Sequence, residues 1–129
     1  MRKNINKYVM DSAVILNNFN FSFKQGELYL TTNSVLDEMI DLRSRQLVEV
    51  GLKEGFIEIK EPSKKSLELI EKAARELGIE RRLAPTDKSI LALALELNLP
   101  LLSDDYQIQK VCIKLGLKYD SVFREKIEK

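Results

Sequence analysis

Five acidic side chains stand where chemistry could be done: Asp11, Glu38, Asp87 and the adjacent Asp104 and Asp105. Asp11 closes the apolar run Tyr8-Val9-Met10, Asp87 sits in Pro85-Thr86-Asp87 at an expected helix start, and Asp104-Asp105 follows Leu101-Leu102-Ser103. Carboxylates gathered from such positions repel one another, so either some keep their protons or cations compensate them. Oxygen-only ligands select hard ions, Mg²⁺ or Mn²⁺ rather than zinc. Two such ions held about 4 Å apart can activate water, orient a phosphodiester and stabilise the leaving oxygen. Metal-dependent nuclease chemistry is what these residue types suggest. Ser12, Thr86 and Ser103 neighbour the acids and can hydrogen-bond their oxygens, fixing their direction.

Taken singly, each acid has an ordinary structural role open to it. Asp87 suits the first turn of a helix beside a Thr cap, and Asp104-Asp105 could cap the helix that follows. Asp11 is the hardest to explain that way, because it ends an apolar strand. Composition narrows the choice: the 129 residues contain no histidine and one cysteine, which excludes a Cys/His zinc site, a serine-histidine triad and a histidine acid–base pair.

The elements that must position these acids follow from hydrophobic periodicity. Lys7 to Met10 reads as a first strand, with a turn or short helix over Ala13 to Asn17, and Leu28 to Thr31 as a second strand. Thr32 or Asn33 is expected to cap one helix carrying Val35, Leu36, Met39, Ile40, Leu47 and Val50, ending at Gly51 or Gly55, with Glu38 one turn in. Phe56 to Ile59 alternates as a third strand. Pro62-Ser63 opens a helix with Leu67, Ile70, Ala74 and Leu77 on one face before Gly78. Thr86 is expected to cap a helix from Asp87 to Leu97, followed by a strand from Leu99 to Ser103, a helix from Tyr106 to Leu115 stopped by Gly116, and an edge strand within Leu117 to Phe123. Strands alternating with helices predict a parallel sheet covered on both faces, with ligands bound beyond the carboxyl ends of the strands.

Length and composition set the frame. A chain of 129 residues matches one domain, spanning 1–129, that buries roughly two thirds of its unfolded surface. Apolar residues make up 44% and charged residues 32%, as in a soluble globular protein. Lysine and arginine number 21 against 20 acids, so the net charge of +1 gives no general attraction to nucleic acid and any basic surface must be local. Arg43, Arg45, Arg81, Arg82 and Lys88 could supply such a rim for phosphates, or could be ordinary ion-paired surface. Tyr106 could stack on a base, but an aromatic residue after such a turn more often covers the edge of the core. Phe19, Phe21 and Phe23 fit an irregular loop or a partner surface, and Cys112 a buried helix face. A lone cysteine, no recognisable signal peptide and no spanning apolar stretch lead us to expect a cytoplasmic protein without a membrane association.

Val9-Met10-Asp11-Ser12 resembles the first motif of PIN domains, whose first strand ends in an acid followed by a small hydroxyl residue. Thr32-Asn33-Ser34-Val35-Leu36-Asp37-Glu38 with Asp41-Leu42-Arg43-Ser44-Arg45, Leu83-Ala84-Pro85-Thr86-Asp87 with Leu91-Ala92-Leu93-Ala94, and Leu101-Leu102-Ser103-Asp104-Asp105-Tyr106 are similar to motifs of the Nob-type PIN endonucleases that mature small-subunit ribosomal RNA. The resemblance implies a three-layer α/β/α fold with a central, mostly parallel sheet. It further implies metal-dependent cleavage of single-stranded RNA leaving a 5′-phosphate, Mg²⁺ or Mn²⁺ as cofactor, and a small-subunit rRNA precursor as partner. By the same resemblance Asp11, Glu38, Asp87 and Asp105 carry the catalytic metal, with Asp104 auxiliary. Two departures stand out: Lys110 occupies a position where Nob-type proteins commonly have Asn after a Gln, and the chain stops at Lys129 without a zinc ribbon, as in a truncated chain or a stand-alone PIN domain. The alternatives are a VapC-like toxin ribonuclease held by an antitoxin, and a PIN module that binds RNA or protein without cleaving. A protein partner or a homodimer is compatible with each.

Overall fold

The computed structural model describes residues 5–122. Five strands, β1 (Asn6–Met10), β2 (Glu27–Thr31), β3 (Ile57–Ile59), β4 (Leu101–Leu102) and β5 (Tyr119–Asp120), form one sheet in the order β3-β2-β1-β4-β5. Every pairing is parallel, as connections through helices require. Val9 lies opposite Leu30 on one side and Leu101 on the other, and Met10 opposite Leu102, which in turn faces Asp120. The chain winds from β1 outward to β2 and β3, then returns across β1 to start β4 on the opposite side. The strand order therefore reverses between β1 and β4, the kind of point at which open parallel sheets form a ligand crevice beyond the carboxyl ends of their strands.

Among the described residues, six α-helices flank the sheet: α1 (Ala13–Leu16), α2 (Asn33–Asp37), α3 (Leu42–Glu54), α4 (Lys64–Leu77), α5 (Pro85–Leu97) and α6 (Tyr106–Leu115). Helices α4, α5 and α6 pack on one another, with α5 against β1 and β4, whereas α1 packs on α3 and α3 on β3. This is the three-layer arrangement expected. Helix α5 buries Ile90, Leu91, Ala92, Leu93 and Ala94 in succession, so its middle is apolar all round and sits between sheet and helices. Val9, Met10, Tyr29, Ile70, Leu101, Ile108 and the buried Cys112 belong to the same hydrophobic cluster. Burial pushes the Cys112 thiol up to about 12, so it behaves as a small apolar residue.

Several local expectations need correction. The helix expected to run unbroken from Thr32 is split into α2 and α3, because Asp41 adopts an extended backbone and its side chain accepts a hydrogen bond from Ser44 N at 3.0 Å, starting a new helix. Ile40 and Val50, assigned to its apolar face, are consequently exposed. Thr86 is not the cap of α5: Ala84 holds that position and Pro85 is the first helical residue, where its missing N–H costs nothing. Strand β4 is confined to Leu101–Leu102, because Leu99 N is still bonded to Ala94 O at the end of α5. Leu77 is part exposed rather than buried. Strand β5 occupies two residues of the expected edge segment, and Phe123 lies outside the described residues.

Gly55, with φ of 84°, ends α3, while Gly51 lies inside it for a packing reason. A Cβ at Gly51 would stand 2.6 Å from Ile57 Cδ1, 2.7 Å from Ile57 Cγ1 and 2.8 Å from Phe23 Cζ. Gly51→Ala is therefore expected to destabilise the chain by roughly 1 kcal/mol, overpacking outweighing the helix-propensity gain of alanine. Urea denaturation checks this, and Ile57→Val in the same chain should restore part of the loss.

Candidate active site

Three acids reach the crevice because of where their elements end. Asp11 follows β1 directly and is buried. Its Oδ1 accepts from Ser12 N at 2.7 Å and its Oδ2 from Ser103 Oγ at 2.9 Å, a bond that joins the ends of β1 and β4 across the reversal point. Ser103 is itself fixed, since its backbone N donates to Asp120 O of β5 at 3.0 Å and its Oγ accepts from Asp105 N at 3.1 Å. Asp105 caps α6, with Oδ1 accepting from Ile108 N at 3.0 Å. Asp87, in the first turn of α5, accepts at Oδ2 from Ala84 N at 3.0 Å. The capping roles open to these acids from sequence are thus real for Asp87 and Asp105, and each satisfies a helix N–H with one oxygen.

Glu38 enters differently. It closes the C-terminus of the short α2 instead of lying within a long helix, and Ser12 Oγ donates to its Oε1 at 3.0 Å. Ser12 thereby links Glu38 to Asp11, offering its backbone N–H to one and its hydroxyl to the other. Asp104 is exposed on the turn before α6. Asp120, not singled out from sequence, ends β5 on the same sheet edge and accepts from Ser121 N at 2.8 Å. The Asp-Ser pair at the end of a short strand is the signal that could have marked it.

The electrostatics show one shared neighbourhood. Burial raises the Asp11 carboxyl above its usual range, hydrogen bonds from Ser103 and Ser12 partly oppose this, and the negative charges of Asp105 and Glu38 add to it. Asp87 is pushed up to about 6, mainly by burial, against the Ala84 N–H, with Asp105, Asp11 and Glu38 all contributing repulsion. Among the described residues, no group of three acids is arranged to hold a metal ion as the side chains stand. The donor set nevertheless fits a hard divalent ion: only oxygens are offered, and the burial and mutual repulsion that raise Asp11 and Asp87 are what a bound cation would offset.

Of the hydroxyls expected to support the acids, Ser12 and Ser103 do bond carboxylates. Thr86 contributes its carbonyl to Ser89 Oγ at 2.7 Å. A hydroxyl cluster that sequence reasoning missed, Thr32 with Ser34 and Ser89, ties the start of α2 to α5; Thr32 Oγ1 is 2.9 Å from Ser89 Oγ. The basic residues are dispersed. Arg43 donates to Ile15 O and lies over the Phe19 ring at 4.9 Å, so it ties α3 to α1. Arg45 lines a groove of about 450 Å³ with Leu36, Met39 and Leu42, a groove that includes none of the acids above. Lys88 is paired with Glu71 at 3.1 Å. Arg81 and Arg82 are exposed on the 3₁₀ turn Glu80–Arg82 that precedes α5.

A parallel sheet with carboxylates from the end of β1, from α2, from α5 and from the β4–α6 connection near its reversal point defines an α/β protein with an acidic sheet edge. Residues 8–97 match the family model described as the PIN domain of ribonuclease, a span that includes Asp11, Glu38 and Asp87 and ends before Asp105. The chain belongs to the PIN-domain family. It is 38% identical over 118 residues to Endoribonuclease Nob1 of Pyrococcus abyssi, covering 92% of this chain and 70% of that protein. Endoribonuclease Nob1 of Methanothermobacter thermautotrophicus is 34% identical over 120 residues, with 90% and 68% covered. Ribonuclease VapC1 of Thermoplasma acidophilum is 31% identical over 122 residues, with 95% and 61% covered. In backbone shape the chain is similar to the crystal structure of FitAcB from Neisseria gonorrhoeae, with a TM-score of 0.58 and 14% identity over 90% of this chain and 98% of that one.

Proposed function

We propose that this chain is a divalent-metal-dependent endoribonuclease that cleaves single-stranded RNA, acting in maturation of small-subunit ribosomal RNA. The observation that carries the reading is the chain of bonds from Glu38 through Ser12, Asp11 and Ser103 to Asp105, closed electrostatically by Asp87. The similarity to two proteins named Endoribonuclease Nob1 supports both the reaction and the substrate class. The VapC relatives favour a second reading, a toxin ribonuclease restrained by an antitoxin. A module that binds without cleaving would have no need of four acids in one field. A single domain over 1–129 in a cytoplasmic setting belongs to the same proposal; among the described residues, no helix is long and apolar enough to cross a membrane.

Asp11, Glu38, Asp87 and Asp105 would hold Mg²⁺ or Mn²⁺, with Asp104 at the margin. Bound there, the ions supply the charge and the water activation that phosphodiester hydrolysis needs. The protein's own part is orientation. Ser12 N–H and Ser103 O–H fix both oxygens of Asp11, and helix-capping bonds fix one oxygen each of Asp87 and Asp105, leaving the other for a ligand or a proton. Cleavage of a labelled single-stranded RNA, abolished by chelator, tests the proposal.

The basic residues would act on affinity, and here the structure separates them. Arg81 and Arg82 precede the Asp87 helix and are exposed, so their joint replacement by alanine is expected to weaken RNA binding and reduce the slope of log affinity against log salt by about one for each phosphate no longer neutralised. Filter binding over a salt series measures this. Arg43→Ala should instead lower the melting temperature, because its guanidinium holds α1 to α3.

A further inference from the structure

Beside the acids stands an aromatic ring that the fold does not use. Tyr106 is the first residue of α6, yet it is 67% exposed. The core face of that helix is made by Ile108, Val111 and Cys112, which places Tyr106 on the opposite side, together with Lys110 and the exposed Ile113. The expectation that this ring covers the edge of the core is therefore not met. Exposure leaves most of the tyrosine surface available to a ligand.

Two features give the position chemical meaning. First, Asp105, which caps the helix, precedes Tyr106 by one residue, a Cα separation of about 3.8 Å. Side chains in a helix lean toward its N-terminus, so Tyr106 projects toward the carboxyl edge of the sheet where the acids are gathered. Second, the Lys110 ammonium lies 4.8 Å from the ring centroid. With Lys110 on one face and most of the residue exposed, the other face is open. A cation on one side of an aromatic ring and an open face on the other is an arrangement suited to stacking a base with a phosphate close by.

We propose that Tyr106, backed by Lys110, is a nucleobase-stacking subsite that seats a base of single-stranded RNA beside the acidic crevice. It rests on the endoribonuclease reading and adds to it how the strand is held in place. Stacking is tolerant of base identity because every base has a π-face, so this subsite selects unpaired RNA over duplex rather than one sequence. Tyr106 is a binding and positioning residue, and the acids remain the reactive groups.

The test is fluorescence anisotropy of a short labelled single-stranded RNA with the full chain carrying Asp87→Asn, so that cleavage does not interfere. Adding Tyr106→Ala is expected to weaken binding about 5- to 100-fold, Tyr106→Phe to preserve it, and Tyr106→Leu to behave as alanine, all at unchanged melting temperature. One abasic position in the RNA should cost a similar factor in the Tyr106 protein and little more in the Tyr106→Ala protein, as expected when both changes remove the same stacking interaction. RNA that binds and is cleaved normally in the Tyr106→Ala chain would overturn the subsite while leaving the nuclease reading intact. Failure of the parent chain to bind or cleave any single-stranded RNA would overturn both. Loss of a co-purifying protein from Tyr106→Ala, with RNA affinity unchanged, would assign this face to a protein partner and likewise overturn the subsite.

Discussion

Single-stranded RNA incubated with this chain and Mn²⁺ is expected to be cut into fragments bearing a 5′-phosphate and a 3′-hydroxyl, and Asp11→Asn should slow that cleavage more than about a hundredfold. The end groups follow from the absence of histidine and the presence of four carboxylates: water attacks phosphorus, whereas attack by the ribose 2′-hydroxyl would leave a cyclic phosphate. Asp11 is the acid with both oxygens already fixed, by Ser12 N–H and Ser103 Oγ, and it cannot be replaced by a neighbour without breaking the bond across the sheet reversal. Removing a group that merely orients a ligand costs about 10- to 100-fold, so Ser103→Ala should fall in that range and Asp11→Asn beyond it. Gel analysis of end-labelled RNA reads both. Cyclic ends, or cleavage that survives chelation and Asp87→Asn together, would sink the mechanism.

That ordering of effects also separates the enzyme from a copurified contaminant. A contaminating nuclease would cut at the same rate in the wild-type, Ser103→Ala and Asp11→Asn preparations. A graded response can only come from this crevice.

How much of this was legible in the chain depends on which forces decide each position. Asp11-Ser12 and Ser103-Asp105 were readable because a carboxylate at the end of a buried parallel strand is placed by the backbone, and strand ends show in the apolar pattern. Glu38 was readable as an acid on the same side of the sheet as Asp11, but not in its setting. Met39 and Ile40 continue a helical spacing, and only Asp41, by bonding Ser44 N, makes the chain stop and restart. The Thr86 cap was misjudged because threonine is the better capping side chain, while Pro85 decides the matter by occupying the first helical position. Both errors come from weighing side-chain preference above a constraint on the backbone.

The settings of the basic residues were the least legible part, and for a different reason. Nothing in the local sequence distinguishes Arg43, whose guanidinium is committed to Ile15 O and Phe19, from Arg81, which is exposed. Partner choice for long cationic side chains is settled by tertiary contacts between elements far apart in the chain. The same applies to Tyr106. Its helix phase relative to Ile108 was visible in the sequence, but its exposure and the Lys110 ammonium over its ring were not.

A divalent cation should stabilise this chain, and by more at pH 7.5 than at pH 5. In the metal-free chain Asp87 has a folded-state value of about 6 against an ordinary 3.8, and Asp11 is raised in the same direction. A carboxyl raised on folding binds its proton more tightly in the folded state. The Asp87 contribution to stability is therefore greatest below its ordinary 3.8, falls as pH rises toward 6 and stays lowered above it, and Asp11 acts in the same direction. The full interval for Asp87 corresponds to about 3 kcal/mol, which solvent screening of a partly exposed group reduces to the order of 1 kcal/mol. Asp41 and Glu96 are shifted the other way, chiefly by hydrogen bonds from Ser44 N and Ser63 N, so their contribution is present above their ordinary values of 3.8 and 4.5 and changes little between pH 5 and pH 7.5. Without metal, the melting temperature should thus be lower at pH 7.5 than at pH 5, and Asp87→Asn should flatten the difference. With Mn²⁺ at a hundredfold over its dissociation constant, mass action adds about 2.7 kcal/mol. Protons compete for the same oxygens at pH 5, so the gain there is smaller. Thermal melts at both pH values, with and without Mn²⁺, measure all four states. An Mn²⁺ effect that is equal at the two pH values, or that persists in an Asp11→Asn, Asp87→Asn double variant, would place the ion elsewhere on the protein.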